Sequence, residues 1–328
     1  MHKLSALVKK SETSSKKTTV AIFIYKRPEL VKGLILAISG YQPSKLYIVA
    51  DGPKVDSKNN ESQLCEEARR KAEVGINWGC EINKIYAPKN MGLRDRMQSG
   101  LDQIFANETE AILLEEDCHP MPDFFPFCQE MLQRHRNHAN VGGVSGSCFL
   151  SKKIELQSDY YFSRYLHIWG WGTWARAWQA YRSVEWTWPD GGFQDYFPNA
   201  SKAETDYWNK IYGHFKSGEL ETWDYPWMSY LWSKNMVSIT PAENLVLNSG
   251  FGPEATNTKD KTMEAQIERK GRLLPPYHVP EGSERNISLD QETFRDHFQK
   301  SQGRIGFWQR FIRSVSRRLR FFLEKKPV

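Results

Sequence analysis

The run Ala111-Ile112-Leu113-Leu114 ends abruptly in Glu115, Glu116 and Asp117, and this junction constrains the fold more than any other stretch. A short apolar run of this kind reads as a buried strand of a parallel sheet. In open α/β sheets the C-terminal strand ends form the ligand edge. Carboxylates clustered there need compensation, because unpaired buried charge is costly. A hard divalent cation carrying a diphosphate would supply it, since Mg²⁺ and Mn²⁺ take oxygen ligands from one or two carboxylates plus phosphates. A solvent-facing acidic loop is the plainer reading of the same residues.

The preceding sequence supports the sheet. Thr18 to Tyr25 is a continuous apolar and β-branched run, hence a buried strand. Pro28 then suits a helix start, and Leu30, Val31, Leu34, Ile35 and Ile38 form a helical stripe ending near Gly40. Leu46 to Ala50 predicts a second strand closed by the turn Asp51-Gly52-Pro53. Glu61 to Glu73 predicts a surface helix, Glu81 to Tyr86 a third strand, and Arg94 to Phe105 a helix. Strands alternating with helices predict an α/β fold, a mostly parallel central sheet flanked by helices. After about residue 145 periodicity weakens and aromatics accumulate. Helical pieces are expected at Trp174 to Tyr181, Ala203 to Ser217 and Trp227 to Asn235. This second half reads as substrate-facing structure built onto the sheet.

Composition excludes several classes. Five Cys without a Cys-x-x-Cys pair argue against a disulfide framework and against zinc, even with His119 beside Cys118. A reducing cytoplasm is the expected compartment. No apolar stretch is long enough to span a bilayer. The net charge of +6 is concentrated at the C-terminus, where Lys300 to Val328 holds nine Lys or Arg against one Glu. The remainder is slightly acidic, which argues against a nucleic-acid partner. On a helical wheel Trp308, Phe311, Ile312, Val315, Leu319 and Phe322 oppose Arg310, Arg313, Arg317 and Arg320. That pattern suits a peripheral helix on an anionic membrane, or a helix docked on protein.

If the strands are parallel, their C-terminal ends share one rim. Arg27 follows the first, Asp51 the second, Arg94 the third, and Glu115, Glu116 and Asp117 the fourth. Singly, each arginine could be a surface cation and Asp51 a turn residue. Together they combine cations for phosphate, an acid for base or ribose, and a metal site.

The ordering resembles the GT-A glycosyltransferases, most closely the inverting N-acetylglucosaminyltransferase I type and its bacterial relatives. That family has a strand ending in Glu-Asp-Asp followed by Pro-Asp-Phe-Phe. Here Glu115-Glu116-Asp117 precedes Pro122-Asp123-Phe124-Phe125. The resemblance implies that Asp117 ligates Mn²⁺ or Mg²⁺, with Glu115 and Glu116 near the donor and Arg27 and Asp51 holding the uridine nucleotide. Trp169-Gly170-Trp171-Gly172-Thr173-Trp174 is similar to the family's Gly-Trp segment, which makes Trp171 a pocket wall unless it is core. Glu221 to Met228 resembles the Trp-Asp-Asp-Trp-Met segment that holds the catalytic base. Asp224 is then the base, Glu221 its reserve, and Trp223 part of the acceptor pocket; a helix-capping role for Asp224 is the alternative. Asn248-Ser249-Gly250-Phe251-Gly252 is similar to the close of the catalytic region.

These readings predict a disordered segment over 1–17 and a GT-A domain over 18–275. A linker and basic helix over 276–328 complete the chain. The expected function is metal-dependent inverting transfer of a sugar from a nucleotide-sugar donor, UDP foremost, to a glycan or lipid-linked acceptor at the inner membrane face. A sugar-1-phosphate nucleotidyltransferase would need a Gly-rich basic loop after the first strand, which Tyr25-Lys26-Arg27-Pro28 lacks. A non-catalytic carbohydrate-binding protein would need only the Trp-rich half.

Overall fold

The computed structural model describes residues 17–55, 60–150, 156–185, 187–249 and 272–300. The apolar runs become strands Val20–Ile24 (β1), Lys45–Ala50 (β2), Glu81–Tyr86 (β3) and Glu110–Glu115 (β4). All four are parallel neighbours in the order β3-β2-β1-β4. β3 lies at the edge and is the least buried, which its mixed sequence Glu-Ile-Asn-Lys-Ile-Tyr permits. Helix Pro28–Tyr41 (α1) starts on its proline and buries Val31, Leu34, Ile35 and Ile38. Glu61–Gly75 (α2) and Leu93–Phe105 (α3) complete the crossovers.

The second half extends the same sheet. Strands Val141–Ser145 (β6), Tyr160–Ser163 (β7), Trp171–Trp174 (β8) and Val237–Pro241 (β9) continue it in the order β4-β8-β6-β9-β7. β8 runs antiparallel to both β4 and β6, whereas β6 and β9 are parallel. The result is an α/β architecture with a mixed, mostly parallel sheet. The short strands Cys118–Pro120 (β5) and Val246–Asn248 (β10) pair antiparallel beside it.

Helices Phe124–Arg134 (α4), Ala175–Arg182 (α5), Phe193–Tyr196 (α6), Lys202–Lys216 (α7) and Asp224–Ser233 (α8) cover the sheet and its ends. Alternation along β4 sends Ile112 and Leu114 into one core with α1 and α4, and Leu113 into another with α3, α5 and α8. Burying each such side chain stabilises the fold by about 1.5–3 kcal/mol.

The stretch 276–328, expected as a linker and basic helix, includes packed structure over 287–299. Helix Ile287–Thr293 (α9) and the π-helical turn Phe294–Gln299 pack on the body, with Phe294 and Phe298 buried against Tyr165, Tyr207 and Trp208. Their anchor is a buried network in which Asp290 accepts from Ser163 Oγ at 2.6 Å and Arg164 Nη1 bonds Glu204 at 3.0 Å. The apolar positions Leu289, Phe294 and Phe298 do not follow a regular helical spacing, so the sequence carries no clear amphipathic stripe. The basic amphipathic segment over 304–322 and the N-terminal segment over 1–16 lie outside the described residues. Among the described residues no helix is long and apolar enough to cross a membrane.

Candidate functional site

The site grows from the end of β4. Alternation puts Glu115 on the side of Leu113 and Glu116 on the side of Leu114. The Glu116 backbone N–H still bonds Phe23 O at 3.0 Å, so the acids begin where β1–β4 pairing ends. Arg27, at the start of α1, then reaches across. Its Nε donates to Glu116 Oε1 at 2.5 Å and its Nη2 to Asp117 Oδ2 at 3.0 Å. Glu116 also accepts from the Tyr25 backbone N–H. Burial pulls the Arg27 guanidinium down, but Glu116 and Asp117 outweigh it and hold it above its ordinary value. Thus Glu116 fixes Arg27, and Arg27 in turn orients Asp117.

Glu115 and Asp117 remain partly open. Burial, reinforced by Asp117, Asp224 and Glu116, pushes the Glu115 carboxyl well above the usual carboxylate range. Trp223, the residue before Asp224, stacks on Trp171, the cross-strand partner of Leu113, so α8 begins beside the end of β4. Asp224 opens the first turn of α8 and accepts from the Thr222 hydroxyl. Burial raises its pKa against the lowering effects of Thr222 and the backbone N–H groups of Asp224 and Tyr225. Glu221 is exposed on the preceding loop.

The structure corrects the aromatic expectation. Trp171 and Trp223 are only 1% and 2% exposed, and they stack on each other at 5.6 Å. Trp171 pairs with Leu113 across β8 and β4, so its indole lies in the core beneath Glu115. Both residues support the site floor and do not wall a pocket.

On the other flank, Asp51 is buried at the end of β2. It accepts from the backbone N–H groups of Gly52 at 2.8 Å and Met91 at 2.9 Å, and from Asn90 Nδ2 at 2.9 Å. It therefore ties the loop after β3 to the sheet edge. Arg94 is exposed and lies over the Phe215 ring at 6.0 Å. Arg96, in the first turn of α3, is 6% exposed, and its Nη1 meets Met91 Sδ at 3.6 Å. Its Nε and Nη2 are buried without hydrogen-bond partners among the described residues. Burial lowers its pKa, with Asp51 opposing and Arg69 adding to the effect. Helical spacing could not have distinguished the two, because Arg94 stands three and seven residues before the buried Met97 and Leu101, and Arg96 four before the buried Gly100.

The pairing of β10 with β5 brings in residues that local reading did not assign to this site. Asn248 Nδ2 donates to Asp117 Oδ1 at 3.1 Å, and the Ser249 N–H donates to Asp117 O at 2.9 Å. Ser249 Oγ and His119 Nε2 are 2.6 Å apart. Among the described residues no group of three or more His, Cys, Asp or Glu is placed to hold a metal ion. The site instead offers Asp117, whose oxygens each keep acceptor capacity beyond their bonds to Arg27 and Asn248. Uncompensated negative charge around Glu115 favours a cation beside it. A hard cation completing its shell with phosphate oxygens fits this donor set.

No protein-family model matches the chain, and no curated protein matches it. Solved structures that it resembles include a mannosyltransferase from Pyrobaculum calidifontis in complex with GDP-Man and Mn²⁺. The identity is 13%, coverage is 67% of this chain and 69% of that one, and the TM-score is 0.37. Glucosyl-3-phosphoglycerate synthase from Mycobacterium tuberculosis, with Mn²⁺, UDP and glucosyl-3-phosphoglycerate, is 12% identical over 40% of this chain, with a TM-score of 0.28. The match spans 44% of that synthase, less than half its length. A UDP-glucose pyrophosphorylase complexed with UDP-glucose is 10% identical over 49% of this chain and 78% of its own, with a TM-score of 0.30. At these scores the likeness decides neither family nor activity.

Proposed function

We propose that the chain is a metal-dependent inverting glycosyltransferase of the GT-A type. It moves a hexosyl or N-acetylhexosaminyl group from a nucleotide diphosphate donor, UDP foremost, to a glycan or lipid-linked acceptor in surface polysaccharide synthesis. The observation that carries this reading is Asp117, held by Arg27 and Asn248 just past the end of β4, with α8 and its Asp224 starting beside the same strand. Asp117 would hold Mn²⁺ or Mg²⁺ together with the donor diphosphate, and Arg27 and Asn248 keep its carboxylate aimed. The bound cation supplies charge neutralisation for the departing diphosphate. Asp224 accepts the proton of the acceptor hydroxyl as that oxygen attacks the anomeric carbon from the opposite face. Its raised pKa makes it a better base than a solvated aspartate. Glu116 stays paired with Arg27, and Asp51 shapes the nucleotide end. The basic segment over 304–322 is proposed to hold the enzyme on an anionic membrane surface. Unchanged sedimentation with anionic vesicles after its removal would refute that role.

The test is a thermal-shift screen of the full chain with UDP, GDP, CMP and dTDP, each with and without Mn²⁺. A ligand at 100 times its Kd adds about 2.7 kcal/mol, a readable shift. The expected result is a shift with UDP that needs Mn²⁺ and vanishes in Asp117→Ala. Asp224→Asn should keep that shift and lose about 10²–10⁴-fold in transfer rate. A folded chain that responds to no nucleotide would overturn the proposal.

A further inference from the structure

The segments that follow β3, β2, β1 and β4 leave the same edge of the sheet, in that spatial order. Three side chains join them in series. Asp51 ties the loop after β3 to the end of β2 through Asn90 Nδ2 and the Met91 N–H. Arg27 ties the residues after β1 to Glu116 and Asp117. The middle link is Glu61, the buried first residue of α2. Its Oε1 accepts from the Lys54 N–H at 2.8 Å, in the loop after β2, and from the Tyr25 hydroxyl, just past β1. Its Oε2 accepts from Lys26 Nζ at 2.8 Å. Asn60 before it adopts φ +40, a left-handed turn that asparagine tolerates better than most residues. Burial pushes the Glu61 carboxyl up, but Lys26, Tyr25 and the Lys54 N–H outweigh it and bring it down to about 2. Glu61 is therefore ionised at neutral pH.

Tyr25, Lys26 and Arg27 are consecutive, and two buried carboxylates grip them. Glu116 takes the Tyr25 N–H and the Arg27 guanidinium, and Glu61 takes the Tyr25 hydroxyl and the Lys26 ammonium. With Tyr25 and Lys26 anchored, the backbone that carries Arg27 is fixed, and its Nη2 meets Asp117 in one pose. An acid at the start of a helix is favourable in itself. That alone would not bring the donors of three other residues onto one carboxylate. The pose matters because a displacement of about 1 Å can cost about a hundredfold in rate, even when its cause lies away from the chemistry.

We propose that Glu61 is a positioning residue, which through Tyr25 and Lys26 sets the pose in which Arg27 holds Asp117. Its part in catalysis rests on the transferase reading; its effect on Arg27 does not. The first readout is therefore ligand-free. It is the exchange with water of the Arg27 Nε–H, followed by NMR on the isotope-labelled full chain and assigned by its loss in Arg27→Lys. Glu61→Ala should speed that exchange about tenfold, the scale of one lost hydrogen bond. Glu61→Gln, which keeps one acceptor oxygen and guards against misfolding, should fall between. Cys65→Ala thins the buried face of the same helix. It should lower the urea midpoint and leave Arg27 exchange within about twofold of wild type. The second readout is Mn²⁺ titrated at fixed UDP in the thermal-shift assay. The half-saturating Mn²⁺ concentration should rise about tenfold in Glu61→Ala and stay within about twofold in Cys65→Ala. Wild-type Arg27 exchange in folded Glu61 variants, equal acceleration by Cys65→Ala, or an unchanged Mn²⁺ requirement despite faster exchange would each overturn the role. Faster exchange in the Glu61 variants of a chain that answers to no nucleotide would uphold the positioning of Arg27 and remove the transferase reading.

Discussion

Removing Arg27 tests the electrostatics of the site most directly. Its guanidinium bridges Glu116, whose side chain is 3% exposed, and Asp117, at 16%. Arg27→Ala leaves Glu116 with the Tyr25 N–H but no cation. Breaking a fully buried pair costs about 3–5 kcal/mol. Arg27 is itself 25% exposed, so water entering its place screens part of that loss. We expect about 2–3 kcal/mol. For a chain of this size the melting temperature should fall by roughly 3–4 °C. The double variant Arg27→Ala, Glu116→Gln removes the stranded charge and should recover half or more of the loss. The assay is urea unfolding of wild type, both single variants and the double variant, closed as a thermodynamic cycle. A coupling energy near zero, or an Arg27→Ala midpoint equal to wild type, would refute the assignment of Arg27 as the partner of the buried carboxylate. The same variant should lose the Mn²⁺-dependent nucleotide shift, because Asp117 loses the donor that aims it.

Other perturbations follow from the same geometry. Arg96→Met should stabilise the fold by about 1–2 kcal/mol, since a buried guanidinium with two unpartnered nitrogens is replaced by an apolar chain; a lower denaturation midpoint would contradict this. Gly100→Ala should cost about 1–3 kcal/mol, because the new Cβ would meet Val49 Cγ1 at 2.7 Å and Phe23 Cε1 at 2.8 Å; an unchanged urea midpoint would oppose it. Burial, then His138 and Arg134, lowers His135 from 6.5 to about 4. Below pH 6.5 the unfolded chain therefore takes up a proton that the native His135 refuses until about pH 4. Stability drops over that window by up to about 3 kcal/mol from this group. His135→Gln should make the decline shallower by about one proton, and an identical slope would exclude His135 as a contributor.

Much of the architecture of the first half was legible because its signals are local. Continuous apolar runs mark β1, β2 and β4, the stripe from Leu30 to Ile38 marks α1, and the carboxylates follow β4 in the chain itself. Strand alternation even separates Glu115 from Glu116 once the strand is placed. The second half was less legible. β6, β7 and β9 are short, and β8 is the aromatic segment Trp171-Gly-Thr-Trp174, whose neighbours lie far away in sequence. The burial of Arg96 and exposure of Arg94 were not legible, because both stand at helical spacing from buried positions of α3.

The sequence by itself determined that a parallel α/β sheet presents an arginine and a cluster of acids at strand ends, since strand and helix periodicity and chain order need no distant information. Only the tertiary structure decided that Trp171 and Trp223 are floor and that Asn248 holds Asp117. Those facts depend on strand pairings between distant segments. In such pairings a contact is chosen by which surfaces can be buried together, and no local pattern records that choice.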